Sequence, residues 1–187
     1  MGVEETKRFI SEQLQLKKEE REAISIGVHG TGTSWIEFFK WLNDTYGKEG
    51  DDSVWFTSME EYYEYNYFRI HGRIEKEVNG NTLKIRVSLP AEEYFYYPSV
   101  TLKVKGVKKS DIASVSAGAV VKGLSWGEGS DGLIINIDCR KYLLEHATHF
   151  VEQYEKNKTD IALRDARYFV NMLKDSPQKA ALLKRIR

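Results

Sequence analysis

The apolar positions predict three helices and two short strands in the first third of the chain. Residues 3–21 carry apolar side chains at helical spacing among many charges, which predicts an amphipathic helix. The β-branched run at 23–28 and the apolar run at 53–56 predict strands. Residues 35–46 and 59–69 predict helices that follow them. The order α-β-α-β-α favours parallel pairing of the two strands.

Polar residues at the expected places mark the ends of these helices. Ser34 is a good N-cap for the second helix, and Glu37, three residues on, completes a capping box. Gly47 is expected to end that helix. Ser58 with Glu61 predicts the same arrangement at the start of the tyrosine-rich third helix.

After residue 69, apolar and polar residues alternate, which predicts strands. The alternation runs over residues 70–78 up to Asn79-Gly80, which is a strong hairpin signal, and it returns at 81–89 and 99–105. Shorter candidate strands lie at 112–116, 119–126 and 132–138. Short strands joined by Gly and Pro turns are typical of an antiparallel β-sandwich.

Helical spacing returns from Arg140 to the end of the chain. Residues 140–156 and 159–174 predict two helices, and Ser176-Pro177 predicts the start of a basic last one. We therefore expect an α+β protein in three parts: a short α/β segment at 1–69, an antiparallel β-sandwich at 70–139 and C-terminal helices at 140–187.

Composition excludes several classes of partner. The 187 residues hold 28 Lys plus Arg and 28 Asp plus Glu, so no overall field attracts nucleic acid or an anionic membrane. The single cysteine, Cys139, excludes an internal disulfide. No signal peptide or membrane-spanning run is recognisable, which leaves the compartment open. Aromatic residues make up 12%, and exposed ones would suit contact with carbohydrate.

His29 is the first candidate for chemistry. It follows the predicted strand 23–28 in the glycine-rich turn His29-Gly-Thr-Gly32, directly before a helix. A histidine at the carboxyl end of a strand is well placed to act as a catalytic acid or base. The alternative is a loop histidine bonded to the backbone.

A second candidate is Gly123-Leu-Ser-Trp-Gly127, which matches the nucleophile-elbow pattern around Ser125. An elbow needs a helix directly after the serine. Here a glycine-rich turn and the apolar run Leu133–Ile137 follow, so a hairpin is the better interpretation. Ser125 is then no nucleophile.

Two further groups have both a chemical and a structural interpretation. His146 and His149 have i, i+3 spacing on a helix, but no nearby carboxylate or cysteine completes a metal site, so packing is favoured. The loop 92–97 is acidic and aromatic, and it either stacks on sugars or covers one end of the sandwich. As candidate sugar contacts we take two tryptophans and two loop tyrosines: Trp35, Trp55, Tyr94 and Tyr96.

With these residues in place, the first third of the chain resembles the C-terminal end of the polysaccharide deacetylases, the NodB-type carbohydrate esterases. The resemblance rests on Ile26-Gly-Val-His29, the helix at 35–46, Val54-Trp-Phe56, and Glu60-Glu-Tyr-Tyr-Glu-Tyr65 before Arg69. It covers residues 1–69 and implies the end of a barrel fused to a β-sandwich. It also implies that His29 protonates the leaving group.

The same resemblance implies a divalent metal such as zinc in a complete deacetylase domain. The family's Asp-Asp and His-x-x-x-His metal motifs come early in that domain, and nothing before residue 23 matches them. We therefore expect no cofactor in this chain and no activity from the chain alone. An incomplete barrel would leave edges uncovered, which predicts a missing N-terminal barrel portion or a homo-oligomer.

Two other functions stay open. The chain could be a non-enzymatic β-sandwich module that binds carbohydrate or serves as a scaffold, with glycan as its partner. A small α/β-hydrolase-like esterase is possible only if residues 123–127 form an elbow.

Overall fold

The computed structural model describes residues 2–17, 20–30, 32–129 and 131–187. In these ranges the chain is α+β, with six α-helices and five β-strands. In chain order they are α1 (Val3–Gln15), α2 (Thr33–Tyr46), α3 (Met59–His71), β1 (Arg73–Asn79), β2 (Thr82–Ser88), β3 (Ser99–Lys105), β4 (Gly123–Gly129), β5 (Gly132–Asp138), α4 (Leu143–Asn157), α5 (Asp160–Met172) and α6 (Pro177–Arg185). The described part contains no closed barrel.

The chain divides into two compact units, Met1–Phe56 and Thr57–Arg187. In the first unit, α1 and α2 bury Ile10, Phe38 and Leu42 in one apolar cluster. The first helix is shorter than its pattern predicted, since it ends at Gln15 and not at residue 21.

The two strands predicted in this unit are wrong. Residues 23–28 and 53–56 are in no strand, and no parallel pair forms among the described residues. The apolar pattern of the first run is nevertheless used, because Ile24 and Ile26 pack against the cluster of α1 and α2. A strand needs a neighbour that completes its hydrogen bonds, and apolar spacing alone cannot supply one.

The start of α2 also differs from the prediction. Its N-cap is Gly32, with no side-chain cap, so Ser34 lies inside the first turn and the predicted capping box with Glu37 is wrong. The predicted end at Gly47 is confirmed. At α3 the Ser58 hydroxyl accepts a hydrogen bond from the Glu61 N–H at 3.1 Å, as predicted.

Both sheets of the second unit are antiparallel. The predicted hairpin at Asn79-Gly80 is confirmed: β1 pairs with β2, and Gly80 has φ +57°. The other sheet has the order β3-β5-β4. The candidate strand at 112–116 is not formed, and that at 119–126 begins instead at Gly123.

An apolar cluster lies under the three-stranded sheet. Leu102, Leu133 and Ile135 are its buried members, and Ile85 and Val87 of β2 pack against them. Strand β1 is exposed along its whole length. The two sheets thus share one cluster through β2, while the predicted sandwich stays a prediction.

The C-terminal helices α4, α5 and α6 form the largest cluster. Its buried members come from all three helices and the segments that end them: Leu143, Ala147, Val151, Ala166, Val170, Leu173, Leu182 and Ile186. The Ser176 hydroxyl caps α6 by accepting from the Lys179 N–H at 3.1 Å, as predicted. Among the described residues no helix has the length and apolar character that crossing a membrane requires.

Candidate functional site

His29 lies in an irregular segment that precedes α2. Its side chain is exposed, and because the predicted strand is absent it does not stand at a strand end. Thr31, in the middle of the glycine-rich turn, is outside the described residues. The imidazole is accessible to a ligand from solvent.

The two candidate tryptophans belong to the same unit as His29 but differ in exposure. Trp35 packs on the α1–α2 cluster, with its ring edge-on to Phe38 at a centroid distance of 5.4 Å. Part of its ring is therefore used in core packing, and only the remainder is accessible to a ligand. Trp55 is 51% exposed and offers more of its ring to a ligand.

Tyr94 and Tyr96 belong to the second unit and are the most open of the four. Their exposed fractions are 74% and 62%. Phe95 between them points inwards, with edge-on contacts to Tyr67 and Phe68 of α3 at 5.1 Å each. The loop thus anchors one ring on α3 and leaves its two neighbours open.

A buried carboxylate that sequence reasoning missed holds this loop. Glu64 of α3 is 3% exposed, and its Oε1 and Oε2 accept hydrogen bonds from the Tyr96 N–H at 2.8 and 3.0 Å. Its Oε2 also accepts from the Tyr97 N–H at 2.6 Å. The signal was present, because Glu64 stands four residues before Phe68 and so shares its buried helix face.

More aromatic rings lie on α3 beside this loop. Tyr63 and Tyr67 are 6.2 Å apart between centroids, and Tyr67 and His71 are 4.3 Å apart. Tyr63 is 62% exposed. We use the name aromatic patch for these helix and loop rings: Tyr63, Tyr67, Tyr94, Phe95 and Tyr96.

The patch is an open surface, not a pocket. A nearby cleft of about 100 Å³, lined by Phe68, Val87 and Leu102 among others, is smaller than the ~300 Å³ at which ligand pockets begin. A ligand of the patch would therefore lie across exposed rings. Stacking on flat aromatic faces is a mode that suits sugar rings.

An ion-pair network ties the start of α3 to the end of β5. Arg140 donates through Nη2 and Nε to Asp138 Oδ2 at 2.6 and 2.8 Å, and its Nη1 lies 3.5 Å from Glu61 Oε1. The Thr57 hydroxyl in turn donates to Glu61 at 2.9 Å. This network fixes the N-terminal end of the helix that carries the aromatic patch.

Ser125 lies in the middle of β4, opposite Asn136 of β5. The Asn136 amide donates to its Oγ at 3.3 Å. The predicted hairpin is confirmed, and the strand-to-helix turn that a nucleophile elbow needs is not formed here.

His146 and His149 lie on α4 against aromatic rings. His146 is edge-on to Phe169 at 4.6 Å and to Phe150 at 5.0 Å. His146 is exposed, but the partial desolvation of its ring by these neighbours lowers its pKa, and the charges of Arg140 and His149 lower it further. In the described part of the chain no group of three or more His, Cys, Asp or Glu could hold a metal ion.

One comparison with known proteins identifies a family. The sequence model of a family described as "Putative polysaccharide deacetylase" matches residues 4–187. The match therefore continues far beyond residue 69, where the resemblance of the sequence motifs ended. No curated protein matches the chain significantly.

Proposed function

The chain belongs to this polysaccharide deacetylase family, and we propose that it takes part in removing acetyl groups from a polysaccharide. The family match over residues 4–187 is the observation that carries the proposal. It includes both units, so the proposal assigns the strands and C-terminal helices to the same function as His29.

In this proposal His29 is the general acid of a complete active site. When water has added to the acetyl carbonyl, the bond from that carbon to the sugar nitrogen or oxygen must break. The imidazolium of His29 would give its proton to the leaving atom, which departs as the free amine or alcohol. The exposure of the side chain supports this role, because a polymeric substrate must reach it.

The residues that the structure describes do not fit the divalent metal that such a domain is expected to hold. They include no group of three suitable ligands, and we assign no step to a metal. We propose instead that the chain alone does not release acetate, and that residues from a further segment or a partner complete the site.

We propose a glycan as the partner of the exposed aromatic residues. Trp55, Tyr94 and Tyr96 offer open rings on which sugars can stack, whereas Trp35 is partly occupied by the core. An alternative function, a non-enzymatic carbohydrate-binding or scaffolding module, is favoured by the exposure of Tyr94 and Tyr96. Such a module would not need His29.

Acetate release and glycan binding should be measured on the same preparation. With N-acetylglucosamine hexasaccharide and added zinc, we expect no acetate above the blank. Without metal, saturation-transfer NMR should show binding that Trp55→Ala weakens and Tyr142→Ala, at a 58% exposed tyrosine elsewhere, leaves unchanged. Failure to bind acetylated glycans of any kind would contradict a role on polysaccharide.

Substitution of His29 distinguishes the enzyme hypothesis from the binding-module hypothesis. Acetate release that His29→Ala abolishes and His149→Ala leaves intact would show that the chain is competent alone, against our expectation. The same substitution should be assayed in this chain together with the segment or partner that completes the site. If His29→Ala leaves the full rate of acetate release there, the general-acid role is wrong and the binding module is favoured.

A further inference from the structure

In the loop of the aromatic patch, Phe95 packs on α3 while Tyr94 and Tyr96 on either side of it are exposed. In addition, the Glu64 carboxylate accepts hydrogen bonds from the Tyr96 and Tyr97 N–H groups, so the backbone that carries the exposed Tyr94 and Tyr96 rings is fixed to α3. A surface that is ordered before a ligand arrives loses little conformational entropy on binding. Exposed rings on a fixed support are therefore suited to bind a ligand.

The rings on α3 are arranged along the helix axis. Tyr63, Tyr67 and His71 stand four residues apart, so they follow one another on one helix face and span about 12 Å. This is an elongated surface, which suits an extended oligomer more than a single compact molecule. Glu60 precedes Tyr63 by three residues and belongs to the same face.

Acidic residues adjoin the patch both on the loop and on α3. Glu92 and Glu93 are exposed directly before Tyr94, and the loop 92–97 contains no basic residue. The Glu60 carboxylate accepts hydrogen bonds from its own backbone N–H and from the Ser58 hydroxyl, and both lower the pKa of this exposed carboxyl, which favours its ionised form. His71 lies next to Tyr67 on this helix face.

We infer that the aromatic patch binds an oligosaccharide that carries protonated amino groups, the class of product that N-deacetylation makes. The inference rests on the proposed function and names the ligand for one of its surfaces. The rings supply stacking for the sugar faces and cation–π contact for the ammonium groups. Glu60, Glu92 and Glu93 supply the complementary charge, which disfavours neutral and anionic glycans in comparison. The patch would hold the part of a polymer that has already lost its acetyl groups.

Titration calorimetry with two hexasaccharides tests the ligand class on the full chain. At low ionic strength we expect the glucosamine hexasaccharide to bind at least about fivefold more tightly than its fully N-acetylated form. The preference should shrink as salt is added, because exposed charges are screened. Equal affinities, or tighter binding of the acetylated form, would overturn the inference and leave the proposed function standing.

Variants assign the binding to the patch. Tyr63→Ala and Tyr67→Ala should weaken the binding of both hexasaccharides about fivefold or more, and the control Tyr142→Ala should change neither affinity.

The double substitution Glu92→Gln with Glu93→Gln should remove most of the preference for the amino form, whereas Glu145→Gln, at an exposed acid of α4, should keep it. If the preference survives the loop substitutions, or the Tyr63 and Tyr67 variants bind normally, the site lies elsewhere and the inference is wrong. Circular dichroism of each variant excludes loss of fold as the cause.

Discussion

At the scale of single residues, Glu64 is the side chain on which the aromatic loop depends most. A carboxylate that is 3% exposed is stable only if its oxygens are well bonded, and here the Tyr96 and Tyr97 N–H groups satisfy them. Glu64→Gln keeps the shape but turns one oxygen into a donor that faces N–H groups. We expect it to lower the free energy of unfolding by about 1–3 kcal/mol, measured by urea denaturation.

Glu93→Gln is the matched control for this substitution. It makes the same chemical change on an exposed residue of the loop, and surface changes of this kind usually stay within about 0.5 kcal/mol. Equal effects of the two substitutions would contradict the anchoring role of Glu64.

His146 gives the stability of the chain a defined pH dependence. Its pKa in the folded chain is lowered from 6.5 by partial desolvation against Phe150 and Phe169 and by nearby positive charge. The unfolded chain therefore binds the proton more readily, and stability falls as the pH drops through 6.5 towards the lower folded value. A full pKa unit corresponds to about 1.4 kcal/mol, and this partly solvated ring should contribute less than that.

Urea denaturation at pH 7.5 and 5.5 measures this contribution. We expect His146→Gln to lose less stability between the two values than the unsubstituted chain does. His29→Gln serves as the control in the other unit and should retain the original pH dependence. An unchanged loss in His146→Gln would mean that other groups account for it.

Sequence reasoning at this scale reaches properties that are local. It selected Tyr94 and Tyr96 by residue type as candidate sugar contacts; both are exposed, and the contact with sugar stays a prediction. It missed Glu64, because the partners of this carboxylate lie more than thirty residues further along the chain. A charged residue on a buried helix face signals that a partner must exist, but not which one.

At the scale of elements, glycines at the hairpin turns are not interchangeable with those inside strands. Gly132 opens β5 with φ +136°, and a Cβ there would collide with the Val104 carbonyl oxygen of β3. Gly132→Ala should therefore cost about 1–3 kcal/mol and lower the thermal midpoint. Gly127 in the middle of β4 has no atom within 4 Å of the position that an added Cβ would take, so Gly127→Ala should be neutral or stabilise by about 0.5 kcal/mol. Equal thermal midpoints for the two variants would contradict this distinction.

The same scale shows which elements the pattern could predict. The strand at 99–105 and the hairpin at Asn79-Gly80 were predicted correctly, because alternation and turn chemistry are both local signals. The run at 23–28 has equally suitable residues but pairs with no strand in the described part of the chain, and it packs through Ile24 and Ile26 instead. Whether an apolar run becomes a strand depends on distant residues that its own pattern does not contain.

At the scale of the whole molecule, family membership and the location of candidate residues bear on different parts of the function. The family match spans both units, while His29 and the aromatic patch belong to different ones. In the proposed function the substrate is a polymer, and a polysaccharide can contact two surfaces of one protein along its length. Substitutions in the aromatic patch should then weaken polymer binding while leaving His29, in the other unit, unchanged.

The two units should also differ in stability. Within the described residues the buried hydrophobic side chains of the first unit are Ile10, Phe38 and Leu42, whereas the cluster of α4, α5 and α6 in the second unit alone has eight. A small unit with little buried apolar surface is marginally stable. In hydrogen exchange on the full chain, we expect the amides of α1 and α2 to exchange at least about tenfold faster than those of α4 and α5.

A substitution in the first core tests whether the units unfold separately. Phe38 is fully buried, and Phe38→Ala should cost about 3–5 kcal/mol, which is enough to remove the protection of α1 and α2. Phe39→Ala, at a neighbouring ring that is 37% exposed, is the control and should cost much less. If the units are independent, α4 and α5 keep their protection in both variants. Loss of protection in α4 and α5 with Phe38→Ala would show instead that the chain unfolds as one cooperative unit, because destabilising one core would then also destabilise the other.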